Sequence, residues 1–186
     1  MAIIKEIQDR WSPRAFADTP ITYAQLEPCF EAARWAPSSM NGQPWKFVVA
    51  TRSENPELWE ILFSCLLEGN QVWAKNAPVL MATITKETFD YNGKPNAHAV
   101  YDTGAAAAHF NLQAIREGFY THQIGGINRD KAKEVLNLPD DHTTYAFMAM
   151  GHVGDPNSLP DVLKERELAP KVRKEMDQIV FKAPLS

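Results

Sequence analysis

Apolar positions recur along the chain with two distinct periods, and their alternation predicts the order of its elements. Leu26, Phe30, Ala33 and Ala36 follow one another at helical intervals, with Thr22 and Gln25 at capping-box spacing ahead of them and Pro37 behind, which predicts a helix over Tyr23–Trp35. Two short β-rich runs, WKFVVAT at 45–51 and VLMATIT at 79–85, have the composition of buried strands. Between them Leu58, Ile61, Leu62, Cys65 and Leu66 keep a helical period within residues 54–73. An alanine-rich helix, apolar around much of its circumference, is expected from about Ala97 to Glu117 and ends near Gly118. Asn128 can cap a short helix in RDKAKEVLNL, and YAFMAMGHVG at 145–154 reads as a strand. The segment from Lys171 reads as a solvated helix that finishes in the apolar DQIVF, to be packed on its own core or on a partner chain. Interleaved helices and strands predict a layered α/β or α+β fold.

Composition narrows the function classes. The chain has 186 residues without repeat, low-complexity tract or linker, so a single domain over residues 1–186 is expected. A net charge of −4 gives no global basic field for nucleic acid, and any anion must be held locally. Cys29 and Cys65 lack the number and spacing of a disulfide scaffold or zinc site and read as buried free thiols. The N-terminal segment has no apolar signal core, and no stretch reaches the ~18 unbroken apolar residues of a membrane span. A cytoplasmic protein is the expectation. There is no GxGxxG or P-loop pattern to support a dinucleotide or nucleotide domain.

Three segments concentrate polar chemistry. In Arg10-Trp11-Ser12-Pro13-Arg14, two arginines flank a hydroxyl where proline forces the chain out of helix. Their planar forks match phosphate oxygens, and solvated surface arginines are the plainer reading. The segment from Pro37 to Trp45, PSSMNGQPW, sets hydroxyls and amides between two prolines, in a stiff loop suited to a flat heterocycle with polar edges or to a well-capped turn. In GFYTHQIGGIN, paired glycines after a strand permit the close approach of a ring or simply make a turn.

Together these segments resemble the nitroreductase family of FMN-dependent NAD(P)H oxidoreductases. The arginine motif, the AARWAPSSMNGQPWKFVV block and the GGI turn occur in the family's order and spacing, and the resemblance runs through Lys171-Val172-Arg173. It implies an α+β fold with a mixed central β-sheet flanked by helices, and an intertwined homodimer with two FMN sites at its interface. Arg10, Ser12 and Arg14 match the motif that binds the flavin phosphate and pyrimidine edge, with Arg14 near N1 and O2, where a cation stabilises the charge left by reduction. Pro37, Ser38, Ser39 and Asn41 match the loop that reaches the flavin bound mainly by the other subunit. Gln123, Ile124, Gly125 and Gly126 match the turn whose backbone N–H meets flavin N5, with Gly126 as the donor. Lys171 and Arg173 match a terminal basic pair that closes on the phosphate. Gly125 stands where many members carry an acid. Asn70 and His122 are left unassigned.

The resemblance implies that NADH or NADPH and a small-molecule oxidant, such as a nitroaromatic or quinone, use one pocket in ping-pong order. No catalytic side chain is required, and the acceptor pocket falls to residues between Glu68 and Asn96. Specialised members perform dehalogenation or aldehyde reduction. Alternatives from other classes are a non-catalytic flavin-binding or redox-sensing protein, and an interaction module built on the five tryptophans. His98, Asp102 and His109 share a helix face, but the two histidines would lie ~16 Å apart along the axis, too far to share an ion.

Overall fold

The computed structural model describes residues 3–184 and organises them as seven α-helices around one four-stranded sheet. Helices α1 (Lys5–Asp9) and α2 (Tyr23–Arg34) precede strand β1 (Trp45–Thr51), and α3 (Pro56–Ser64) and α4 (Glu68–Ala74) lead to β2 (Val79–Lys86). Helix α5 (Ala99–Arg116), strand β3 (Tyr120–Ile124), helix α6 (Arg129–Val135), strand β4 (His142–Gly151) and helix α7 (Asp161–Leu168) follow. Side-chain caps begin several of these helices: Gln25 Oε1 accepts the Thr22 N–H at 2.9 Å, and Asn55 and Asn128 accept from Leu58 and Lys131, each at 3.0 Å.

The strands lie in the order β1-β2-β4-β3, and every neighbouring pair is antiparallel. The α+β class therefore holds, whereas the parallel pairing that a mixed sheet requires does not occur among the described residues. β1 and β3 are the edges, so a parallel strand would have to be added there by another segment. Side chains alternate across the sheet. Val79 and Met81 join Met148, Met150, Leu26 and Phe110 beneath α2 and α5. Leu80, Ala82 and Ile84 join Phe147, Trp59, Leu62 and Trp73 beneath α3 and α4. Cover on both faces explains why β2 is an unbroken apolar run in the sequence rather than an alternating one.

Two expectations are corrected. The helical period within 54–73 is divided between α3 and α4, with a break at Cys65–Leu67. There the backbone pairs with the glycine turn: Leu66 bridges Ile127, Leu67 N–H donates to Gly126 O at 3.0 Å, and Asn128 N–H donates to Cys65 O at 2.8 Å. At the other end, a helix lies at α7, which no apolar period announces, while the segment after Lys171 has a single 3₁₀ turn at Met176–Gln178. Val172, Met176, Ile179, Val180 and Phe181 are exposed, so the tail is not packed on its own core. No described helix is long and apolar enough to cross a membrane.

The segment after Arg14 lies as a strap on the continuation of β4. Phe16 bridges Val153, Ala17 N–H donates to His152 O at 2.9 Å, and Gly154 N–H donates to Ala15 O at 2.8 Å. A Cβ on Gly154 would stand 2.6 Å from Phe16 O, a backbone atom that cannot step aside. Gly154→Ala is therefore expected to destabilise the protein by ~1–3 kcal/mol through overpacking. Urea unfolding checks this, and an unchanged midpoint would show that the strap is not held this closely.

Candidate functional site

The strap carries the N-terminal arginine motif along the β3 edge. Arg10 Nη1 donates to Ser12 Oγ at 3.3 Å, and the Trp11 ring meets Tyr120, the first residue of β3, edge-on at 6.3 Å. His122 Nδ1 bonds Pro13 O at 3.0 Å while its ring lies 4.5 Å from that of Trp73. On the opposite side Glu167 of α7 accepts the Arg14 N–H at 2.8 and 3.0 Å and the Ala15 N–H at 2.9 Å. The residues Ser12 to Ala15 are thus held from both sides without belonging to a helix or strand.

The C-terminal basic pair comes to the same place. Lys171 Nζ stands 4.9 Å from the Trp11 ring centre, and burial together with the charge of Arg173 pulls the Arg10 guanidinium below its usual pKa. Among the described residues Arg10, Lys171 and Arg173 form no ion pair with a carboxylate. Two guanidinium groups near enough to repel each other, with Lys171 alongside and no carboxylate within ion-pair distance of them among the described residues, constitute a setting that an anion relieves. Beside them a cavity of about 540 Å³ is lined by Trp11, Val153, Pro156, Glu167, Leu168 and Lys171.

β3 then runs into the glycine turn. Ile124 is buried in the core, leaving its backbone for any ligand, whereas Gln123 and Gly125 are exposed. Gly126 O accepts from Leu67 N–H and from Asn70 Nδ2, both at 3.0 Å. The N–H groups of Gly125 and Gly126 donate to nothing among the described residues. A side chain at Gly126 would collide with the Asn70 amide, so the turn exposes a backbone surface bounded by that amide. The helix break at Cys65–Leu67 is what holds this turn.

The PSSMNGQPW loop lies elsewhere. It ends at β1, the other edge of the sheet, three strand spacings or roughly 14 Å across from β3. Asp102, buried in the first turn of α5, accepts the Ser39 N–H at 2.9 Å, and Ser38 Oγ accepts the Gln43 N–H at 3.1 Å. Met40, Asn41 and Gln43 have φ values of 52°, 52° and 44°, strained for residues with a Cβ. Pro37 and Asn41 are exposed, with Ser38 and Ser39 half-buried. Within one chain the strap with Arg10, Ser12 and Arg14, together with Lys171, lies along the first half of β3, with Arg173 close to Arg10, and the same strand ends in Gln123–Gly126, whereas Pro37, Ser38, Ser39 and Asn41 lie apart.

Sequence reasoning missed Glu167 and the anchoring role of Asp102, and left His122 and Asn70 unassigned. Glu167 differs in no readable way from Glu165 within DVLKEREL. Asp102 was noted for the helix face it shares with His98 and His109, which gave no hint that its carboxylate would hold the Ser39 N–H. The thiols offer no nucleophile, since burial pushes Cys29 up to about 12 and Cys65 upward.

The description "Nitroreductase family" belongs to the family model that matches residues 7–152. The FMN reductase (NAD(P)H) of Bacillus subtilis is 29% identical over 171 residues, spanning 82% of this chain and 66% of that protein. A crystal structure of an oxidoreductase containing FMN superposes with a TM-score of 0.93 at 38% identity, covering 100% of this chain and 94% of the other. A nitroreductase family protein from Clostridium difficile 630 superposes at a TM-score of 0.74 and 23% identity over 100% of both chains, a likeness of fold.

Burial pushes the His122 imidazole down to about 4, ahead of the opposing hydrogen bond to Pro13 and the repulsion of Arg14. The folded protein thus resists a proton that the unfolded chain accepts near 6.5, so this contribution to stability is present above pH 6.5 and is lost as pH falls toward 4. Between pH 7 and pH 5 the loss is about 2 kcal/mol. Urea unfolding at the two pH values should show that His122→Gln removes this share of the acid sensitivity; an identical loss in the variant would place the sensitivity elsewhere.

Proposed function

We propose that this chain, which belongs to the nitroreductase family, is a homodimeric FMN oxidoreductase that draws electrons from NADH or NADPH. Its acceptors are planar small molecules, nitroaromatics and quinones among them, taken in ping-pong order at the face the nucleotide vacates. The observation that carries this reading is that one strand, β3, is flanked at its start by Arg10, Lys171 and Arg173, which form no ion pair with an acid among the described residues, and ends in glycine N–H groups that donate to no described partner. The names of the relatives point to the same cofactor.

The residues present fit FMN. Arg10, Ser12, Lys171 and Arg173 would hold the phosphate, Arg14 the N1–O2 edge, and Gln123, Ile124, Gly125 and Gly126 the N5 side through the backbone, with Gly126 N–H as donor. Pro37, Ser38, Ser39 and Asn41 would come from the second copy. FMN when bound supplies the two-electron chemistry, and the chain supplies placement and charge. Asp102 and the strained backbone at Met40 and Asn41 hold that loop in shape before any partner arrives. Near it, the Tyr91 ring, 5.3 Å from that of Phe89, lines a cavity with Met40 and Lys46, a wall suited to planar acceptors.

Support for the dimer comes from surface. The chain exposes 11028 Å², against roughly 9,000 Å² for a compact monomer of this mass. The excess includes the apolar tail, with Trp35, at the C-terminal end of α2, and Tyr101, on α5, exposed at 73% and 81%. A second copy that covers these residues would also bring its Pro37–Asn41 loop to the β3 edge. The whole chain is read as one FMN-binding domain over residues 1–186, and buried, unpaired Cys29 and Cys65 suit a reducing cytoplasm.

An absorption spectrum after incubation with FMN and removal of the excess tests the proposal, followed by anaerobic NADPH and then NADH. Retained yellow colour bleached by either nucleotide, and restored by nitroaromatic or quinone, is expected. Retention without bleaching would instead favour a flavin-binding sensor, and no retention would overturn the flavin reading. Arg10→Ala should weaken FMN binding roughly 10- to 100-fold by removing one charge-assisted contact. Truncation after Pro170 should yield a monomer in sedimentation velocity that retains no FMN; a truncated dimer with full flavin content would remove the tail from the interface.

A further inference from the structure

Helix α7 is docked in an unusual manner. Its one fully buried residue is charged: the Glu167 side chain is 1% exposed. Taking a carboxylate out of water is unfavourable unless donors replace the solvent. Here they are the backbone N–H groups of Arg14 and Ala15, at 2.8–3.0 Å, with Oε1 receiving both and Oε2 receiving Arg14 again. These dipoles satisfy the lone pairs without cancelling the charge. Among the described residues the one cation within ion-pair distance is Arg14 itself, whose Nη1 stands 3.9 Å from Oε2. That separation is too long for a hydrogen bond, so the guanidinium stays free to donate elsewhere while remaining within the field of the carboxylate.

The placement of other charges makes this field count. The turn at Gln123–Gly126 carries no acid. Pro13 O is fixed from the far side by His122 Nδ1, so the strap cannot recoil from Glu167. Lys171 lines the same cavity as Glu167, three residues beyond the end of α7, but its ammonium sits over Trp11. We propose that Glu167 is a positioning residue acting through Arg14: it fixes the Arg14 backbone and offsets part of the guanidinium charge before that charge reaches the flavin pyrimidine edge. The inference rests on the proposed function above, in which Arg14 faces that edge.

Glu167 therefore lowers the preference of the site for reduced over oxidised FMN. Glu167→Gln separates charge from packing, because the amide oxygen can keep both N–H bonds at the Oε1 position while the neutral amide nitrogen replaces Oε2. In this variant the ratio of affinities for reduced and oxidised FMN is expected to rise about tenfold, seen as an upward shift of ~30 mV in the two-electron midpoint potential of bound FMN. A purely structural role would weaken both forms together and leave the potential unmoved. In an Arg14→Gln background the same substitution should shift the potential little, because the two residues act as one unit. Amide exchange of the flavin-free protein supplies a second readout: Arg14 and Ala15 should be protected in the wild type and in E167Q, and should lose protection in E167A. Should E167Q fail to fold, Glu167→Asp keeps the charge but withdraws it by one methylene, and a smaller upward shift is expected.

An unmoved potential in a folded, flavin-loaded Gln or Asp variant overturns the proposal, as does an undiminished shift in the Arg14→Gln background. These failures differ from that of the flavin reading itself, in which the wild-type protein retains no FMN and both the reading and the tuning role fall together, leaving the exchange data to report only the backbone clamp.

Discussion

Burial of β2 and β4 on both faces of the sheet is the constraint from which the rest of the architecture follows. Helices α2 and α5 close one face and α3, α4 and α6 the other, so the interior is packed mainly with apolar side chains, the buried hydroxyls of Thr83, Thr85 and Thr144 on β2 and β4 being exceptions. Polar chemistry is driven to the two edge strands and to the loops that leave them. On the β3 edge the chain strap and the glycine turn supply arginines and unpaired N–H groups. On the β1 edge the PSSMNGQPW loop supplies hydroxyls and amides. On the proposed dimer, a ligand using both sets is met by two chains, since β1 and β3 are opposite edges of one chain's sheet.

Electrostatics on the β3 edge is arranged by exclusion as much as by attraction. Arg10, Lys171 and Arg173 form no ion pair with an acid among the described residues, whereas Arg14, four residues after Arg10, is given one in Glu167. A dianionic phosphate can use undamped cations, and its charge does not change during turnover. The pyrimidine edge of the proposed cofactor gains charge only on reduction, so the field there sets how readily electrons stay. Different degrees of neutralisation at the two ends of one motif thus match different electrical demands.

Much of this was readable in the residues, and what was not has identifiable causes. The capping box at Thr22–Gln25, the strands at 45–51 and 79–85, and the alanine-rich helix appear within a residue or two of their expected places, because each rests on local sequence pattern. Of the two strands expected to be buried only β2 is, since β1 lies at the sheet edge with Lys46 exposed and Phe47 to Val49 half-buried. The break between α3 and α4 was hidden because Leu66 continues the helical period while actually bridging to Ile127, a partner distant in sequence. Helix α7 gave no signal since its one buried residue is an acid. The site segments were recognisable individually, but the approach of Arg173 to Arg10 and the separation of Pro37–Asn41 from Gly125–Gly126 depend on sheet order, which no local pattern encodes.

On the proposed dimeric arrangement, cofactor binding and assembly become one equilibrium. A ligand held by the β3 edge of one chain and the β1-side loop of another has high affinity only for the paired state, so it stabilises that state by RT ln(1 + [L]/Kd), about 2.7 kcal/mol at a hundredfold excess over Kd. The apolar tail adds a contribution that does not need the ligand, since Val172, Ile179, Val180 and Phe181 lose water on docking whether or not the phosphate cluster is filled. Lys171 and Arg173 begin that same tail. A phosphate neutralising them removes the repulsion that would otherwise oppose its closure near Arg10, and through this contact the occupancy of the site and the docking of the tail reinforce one another.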